Sequence, residues 1–120
     1  MAVLKNVRAY IAGEGIRRAD ILVREGRIAQ IAEAGTAEGE EIYEIPESAL
    51  ISPGFIDQHI HGAGGADAMD ATQEALSTIA NTLAKEGTTS FLATTMTQTE
   101  ENICAALRAA DEHIRAEHKD

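Results

Sequence analysis

The stretch from Pro53 to Gly62 holds the side chains of this sequence that are best suited to metal chemistry. It reads Pro-Gly-Phe-Ile-Asp-Gln-His-Ile-His-Gly. On a β-strand alternate side chains share a face, so Asp57, His59 and His61 are predicted to point the same way. Neutral imidazole nitrogens bind zinc and similar divalent ions, and two of them are half of a tetrahedral site. Spacing alone leaves a structural role open, because H-x-H also arises by chance.

The context of the two histidines favours a metal site. The second half of the chain alternates between strand and helix patterns, and His61 falls where the first strand ends. Elements are predicted at Phe55–His61 (strand), Thr72–Glu86 (helix), Thr88–Thr95 (buried strand) and from about Thr99 onward (helix). This order implies a parallel sheet with right-handed crossovers. The carboxyl end of such a strand is where barrel enzymes place their chemistry, and the glycines at 62, 64 and 65 let other groups approach closely.

The first 52 residues have a different pattern, of short strands that alternate polar and apolar side chains. Between two of them, Gly26 is placed to adopt the positive φ of a tight hairpin. These residues predict half of an antiparallel β-module. Composition and periodicity both change near Pro53, so the predicted domain boundary lies there.

Composition excludes several classes of protein. The 120 residues carry 20 acidic and 10 basic side chains, a net charge of −10, with only 3% aromatics. Such a chain lacks the basic stripe and stacking rings that bind nucleic acid. The hydrophobic content of 44% is typical of a globular domain, and no apolar run approaches the roughly 18 residues of a membrane span. The single cysteine, Cys104, fits a reducing compartment, so a cytoplasmic location is expected.

The ten residues that carry the histidine pair resemble the first barrel strand of the amidohydrolase superfamily. Two further segments, Gly64–Asp70 and Glu86–Thr95, are similar to the branch of that superfamily that deacetylates N-acetylglucosamine 6-phosphate. The opening strands, with Glu25-Gly26-Arg27-Ile28, fit the same branch, so the resemblance covers essentially the whole chain.

This resemblance implies an α/β fold, a (β/α)₈ TIM barrel that bears a small β-sandwich. Residues 1–52 would form the amino-terminal part of the sandwich, and residues 53–120 the first two βα units of the barrel. A complete barrel of this kind needs about 250 residues. The chain is therefore expected to be an amino-terminal fragment with an incomplete barrel.

The resemblance also implies an activity: metal-dependent hydrolysis of the acetamide of N-acetylglucosamine 6-phosphate to glucosamine 6-phosphate and acetate. The expected cofactor is a divalent ion, zinc or iron, and the expected partners are a small amino-sugar phosphate and, in the full-length protein, a second copy. Only His59 and His61 match the family's metal ligands. No catalytic or substrate-binding residue is assigned, so the fragment alone is expected to be inactive. The alternatives are a cyclic amidase like dihydroorotase or hydantoinase, or a non-catalytic truncated product.

Overall fold

The computed structural model describes residues 1–116, which divide into two compact units. The first unit is Met1–Pro53 and the second begins at Gly54. The first contains β1 (Ala2–Ile11), β2 (Gly15–Arg24), β3 (Arg27–Ala32) and β4 (Glu41–Glu44). The second contains β5 (Phe55–Ile60), β6 (Gly62–Ala63), β7 (Ala66–Asp67), a 3₁₀ helix (Ala68–Asp70), α1 (Gln73–Lys85), β8 (Thr88–Ala93) and α2 (Glu100–Arg115).

The first unit is a four-stranded sheet in the order β3-β2-β1-β4. The predicted hairpin joins β2 to β3, and its central residues Glu25 and Gly26 have φ of 52° and 70°, as a type I′ turn requires. β1, β2 and β3 pair antiparallel, but β4 pairs parallel to β1. The prediction of an all-antiparallel module is wrong at β4, because residues 33–40 carry the chain from one edge of the sheet to the other. Val7, Ala9 and Ile21 form a buried hydrophobic cluster in this unit.

A buried carboxylate ties this sheet together. Asp20 in β2 is fully buried and accepts hydrogen bonds from the backbone N–H groups of Asn6 (2.6 Å), Gly35 (2.9 Å) and Ala37 (2.8 Å). Burial raises the pKa of Asp20, but these three donors and the charge of Lys5 outweigh it, so the pKa lies below its ordinary value. Asp20 thus holds the irregular part of β1 and the loop after β3 against β2.

In the second unit β5 and β8 pair in parallel, with α1 as the connection between them. Thr72 caps α1, its hydroxyl accepting from the Ala75 N–H at 3.1 Å, and Gly87 follows the helix with a φ of 83°. The apolar stripe predicted for this helix is buried through Leu76, Ile79 and Leu83. The strand–helix–strand–helix order and the parallel pairing are therefore confirmed. Within residues 1–116 no helix is both long and apolar enough to cross a bilayer.

The β5–β8 sheet has an open apolar surface. Large apolar side chains remain exposed at Phe55, Ile56 and Leu92 on its strands and at Leu107 and Ile114 on α2. The burial predicted for Thr88–Thr95 is wrong in this structure, because each strand has only one neighbouring strand among the described residues. The apolar pattern of β8 is that of a strand covered on both faces, and here its faces are only partly covered.

Candidate metal centre

Two imidazole rings lie close together at the carboxyl end of strand β5. His59 lies one residue before the last residue of β5, and His61 follows the strand directly. The ring centroids are 5.1 Å apart and the ring planes are nearly perpendicular, at 89°. The structure therefore brings together the two residues that the sequence singles out, at the carboxyl end of a parallel strand.

The two rings are held differently. The Nδ1 atom of His61 lies 2.9 Å from the main-chain carbonyl oxygen of Thr94, just beyond the end of β8. The Thr94 N–H also donates to the Ile60 carbonyl at 2.8 Å. Two hydrogen bonds at Thr94 therefore join the end of β8 to the end of β5. Because Nδ1 is engaged, Nε2 is the nitrogen of His61 that is left to bind a metal ion.

The Asp57 side chain forms a hydrogen bond within its own strand. Its Oδ1 accepts the backbone N–H of His59 at 3.0 Å. The pairing of β5 with β8 passes from Asp57↔Phe91 to Ile60↔Ala93, so β5 advances by one residue more than its partner. This bulge interrupts the strict alternation that the sequence predicts, and the Asp57 carboxylate satisfies an amide inside it. The contact observed for the Asp57 side chain is therefore a structural hydrogen bond.

A tight hairpin of β6 and β7 follows the histidines, where the sequence predicts only a glycine-rich loop. The carbonyl of His61 accepts from the Ala68 N–H at 2.7 Å, so the hairpin folds back onto the end of β5. A Cβ atom on Gly62 would collide with the Ala66 carbonyl oxygen and lie 2.9 Å from the Asp67 Cα. Gly62 is therefore required by close packing of the backbone beside the site.

Replacing Gly62 with alanine is expected to destabilise the second unit by about 3 kcal/mol, because backbone atoms must move to admit the methyl group. Gly65→Ala is the matched control: Gly65 has a φ of 84° but open space at its Cβ position. It is expected to cost only about 1 kcal/mol, from backbone conformation alone. Urea unfolding measures both, and equal losses would contradict the packing argument.

Two aspartates that follow the histidines have structural roles. Asp67 and Asp70 form a capping box on the 3₁₀ helix, with the Met69 N–H on Asp67 Oδ1 at 2.8 Å and the Asp67 N–H on Asp70 Oδ2 at 2.9 Å. Capping explains both aspartates without catalysis. Cys104 is partly buried in α2. No group of three or more His, Cys, Asp or Glu side chains able to hold a metal occurs within residues 1–116.

The histidine pair fits part of a metal site. Two imidazoles that converge from one strand match the ligand preference of zinc and similar divalent ions, and the Nδ1 contact leaves Nε2 of His61 for the metal. Tight binding needs further ligands, since zinc is usually held by three or four protein groups. His59 and His61 would then be two members of a larger set.

The second unit is an α/β arrangement with two histidines at the carboxyl end of a parallel strand, the end at which open α/β sheets bind their ligands. The Amidohydrolase family model matches residues 50–119, more than half of the chain, and the chain belongs to that family.

Among curated proteins, the chain is 44% identical to N-acetylglucosamine-6-phosphate deacetylase of Lysinibacillus sphaericus over 96 residues, which is 80% of this chain and 24% of that protein. It is 38% identical to the enzyme of the same name from Bacillus subtilis, over 96% of this chain and 29% of that protein. The crystal structure of N-acetylglucosamine-6-phosphate deacetylase from Thermotoga maritima matches with a TM-score of 0.74 and 29% identity, over 93% of this chain and 28% of that one. The chain thus spans under a third of the length of these relatives, and its resemblance to amidohydrolases is confirmed.

Proposed function

We propose that the chain is part of a metal-dependent deacetylase that hydrolyses the acetamide of N-acetylglucosamine 6-phosphate to glucosamine 6-phosphate and acetate. The observation that carries this proposal is the convergence of His59 and His61, 5.1 Å apart, at the end of β5. The names of the relatives support the choice of substrate. The proposal also assigns residues 1–52 to the amino-terminal part of a β-sandwich and residues 53–120 to the first two βα units of a TIM barrel.

His59 and His61 are the proposed metal ligands in this chain. A bound divalent ion, zinc or iron, would polarise the amide carbonyl and make water a stronger nucleophile at neutral pH. The residues of this chain would hold the two imidazoles in place. The Thr94 carbonyl contacts the His61 ring, and Asp57 accepts a hydrogen bond from the His59 amide in the β5 bulge. Gly62 allows the β6–β7 hairpin to pack beside the histidines. Proton transfer and recognition of the sugar phosphate are not assigned to any residue of this chain.

Further parts of the proposal concern partners and location. A homodimer is proposed from the resemblance alone. The proposed compartment is the cytosol, because the single cysteine of the chain is unsuited to an internal disulfide. Residues 1–120 without further ligands are proposed to be inactive, since two imidazoles alone hold a catalytic metal weakly.

The activity is tested with the protein expressed from the whole reading frame that encodes this chain, loaded with Zn²⁺ or Fe²⁺. We expect acetate release from N-acetylglucosamine 6-phosphate at least a hundredfold faster than opening of the dihydroorotate ring. The control substrate is N-acetylglucosamine without its phosphate, and the isolated 120-residue chain is assayed beside it. Faster hydrolysis of the cyclic amide would overturn the proposed substrate and favour a dihydroorotase-like enzyme.

A further inference from the structure

The asymmetry between the two histidines suggests a role for a residue that sequence motifs do not mark. Only His61 has a ring nitrogen bonded to the main chain, at 2.9 Å from the Thr94 carbonyl oxygen. A carbonyl oxygen can only accept, so the proton of a neutral His61 ring must lie on Nδ1. Free imidazole side chains exchange between two tautomers, and only the Nδ1–H form has a lone pair on Nε2.

We infer that the main-chain carbonyl of Thr94 is a positioning group, which fixes the tautomer and ring orientation of His61 so that Nε2 faces an incoming divalent cation. This inference rests on the proposed function only in taking His61 as a metal ligand. The main chain at Thr94 is itself held in place, because the Thr94 N–H donates to the Ile60 carbonyl at 2.8 Å. The tautomer and the ring orientation of His61 are thereby set before a metal ion binds.

The arrangement has a chemical consequence for binding. Hydrogen bonding from a metal-ligating imidazole to a carbonyl raises the basicity of the ligating nitrogen and removes the cost of reorienting the ring. Loss of such a partner typically weakens metal affinity by about tenfold or more. His59, whose ring contacts His61 edge to face, lacks a ring hydrogen bond of this kind among the described contacts.

The carbonyl is tested by replacing Thr95 with the α-hydroxy acid analogue of threonine, which converts the bond after Thr94 into an ester. An ester carbonyl is a weaker acceptor, and the side chains stay unchanged. Within residues 1–116 no hydrogen bond is described for the Thr95 N–H that the ester removes. Thr94→Ala is the matched control, since it removes the hydroxyl and keeps the carbonyl.

The readout is ¹⁵N NMR of the imidazole rings in the metal-free whole protein, followed by titration with Zn²⁺ alone; His61→Gln identifies the His61 signals. We expect His61 to carry its proton on Nδ1 in the wild type and in Thr94→Ala. In the ester variant we expect a mixture of tautomers and about tenfold weaker zinc affinity. A wild-type His61 protonated on Nε2, or an ester variant with unchanged tautomer and affinity, would overturn the inference. Absence of deacetylation with these spectra intact would count against the proposed function only.

Discussion

Replacing both His59 and His61 with alanine is expected to remove the metal bound at their site and to abolish most deacetylation by the whole protein. A metal that polarises the reacting carbonyl contributes several kcal/mol of transition-state stabilisation, so we expect kcat/KM to fall about a thousandfold. Metal content after dialysis, measured by elemental analysis, and acetate release together check this result. It is the largest effect that this site predicts.

The matched control is Gln58→Ala, which alters an exposed side chain directly before His59 on the same strand. It is expected to keep both the metal and the activity. Circular dichroism and the urea midpoint of the double variant separate loss of ligands from loss of fold. Unchanged metal content in a folded double variant would mean that the histidines have a structural role, the alternative left open by their spacing.

Replacing Asp20 with alanine is expected to be the most destabilising single change in the first unit. The Ala37 N–H loses its acceptor in a buried place, and the N–H groups of Asn6 and Gly35 lose theirs in partly buried places. An unsatisfied buried donor costs about 1–3 kcal/mol, and the two partly buried donors fall toward the low end of that range. Because the variant no longer buries a charge, part of this loss is offset, and we expect a net loss of about 3 kcal/mol. Urea unfolding at neutral pH measures the loss.

The stabilisation by Asp20 should also depend on pH. The folded pKa is depressed, because the backbone donors and Lys5 outweigh the opposing effect of burial. A carboxyl group with a depressed folded pKa stabilises the fold above its unfolded pKa of about 3.9, and that stabilisation is lost as pH falls through the folded pKa. The stability difference between the wild type and Asp20→Asn is therefore expected to be constant from about pH 5 to 8 and to shrink below about pH 4.

Glu14→Gln is the control for this experiment, because Glu14 is an exposed member of an ion pair with Arg17. Surface pairs of this kind contribute about 0–1 kcal/mol, so the control should change little at any pH. A difference between wild type and Asp20→Asn that persists undiminished at pH 3 would show that the charge on Asp20 is not what stabilises the sheet.

Local signals in the sequence predicted much of this structure. The hairpin at Gly26, the α1 helix and the strand that ends at the histidine pair all depend on neighbouring residues, and the structure confirms each of them. The metal role of the histidines stays a prediction. Their side chains are identifiable because ligand type and strand periodicity are both visible over a few residues.

Other features depend on residues that are distant in the sequence. Asp20 has backbone partners 14, 15 and 17 positions away. Because every residue except proline carries a backbone N–H, the residue types do not indicate this contact. The bulge at Asp57 depends on the register between β5 and β8. The exposure of Leu92 depends on which elements cover the sheet, whereas its residue type indicates only that burial is favourable.

The contact between Thr94 and His61 has a consequence for how this family can diverge. The accepting atom belongs to the peptide backbone. The residue type at position 94 can therefore change during evolution while the carbonyl that holds the imidazole is kept. Insertions or deletions within β8 are a different matter, because they would shift another carbonyl into register with the ring. Selection on this contact would therefore act on the length of a strand and leave the identity of a residue unconstrained.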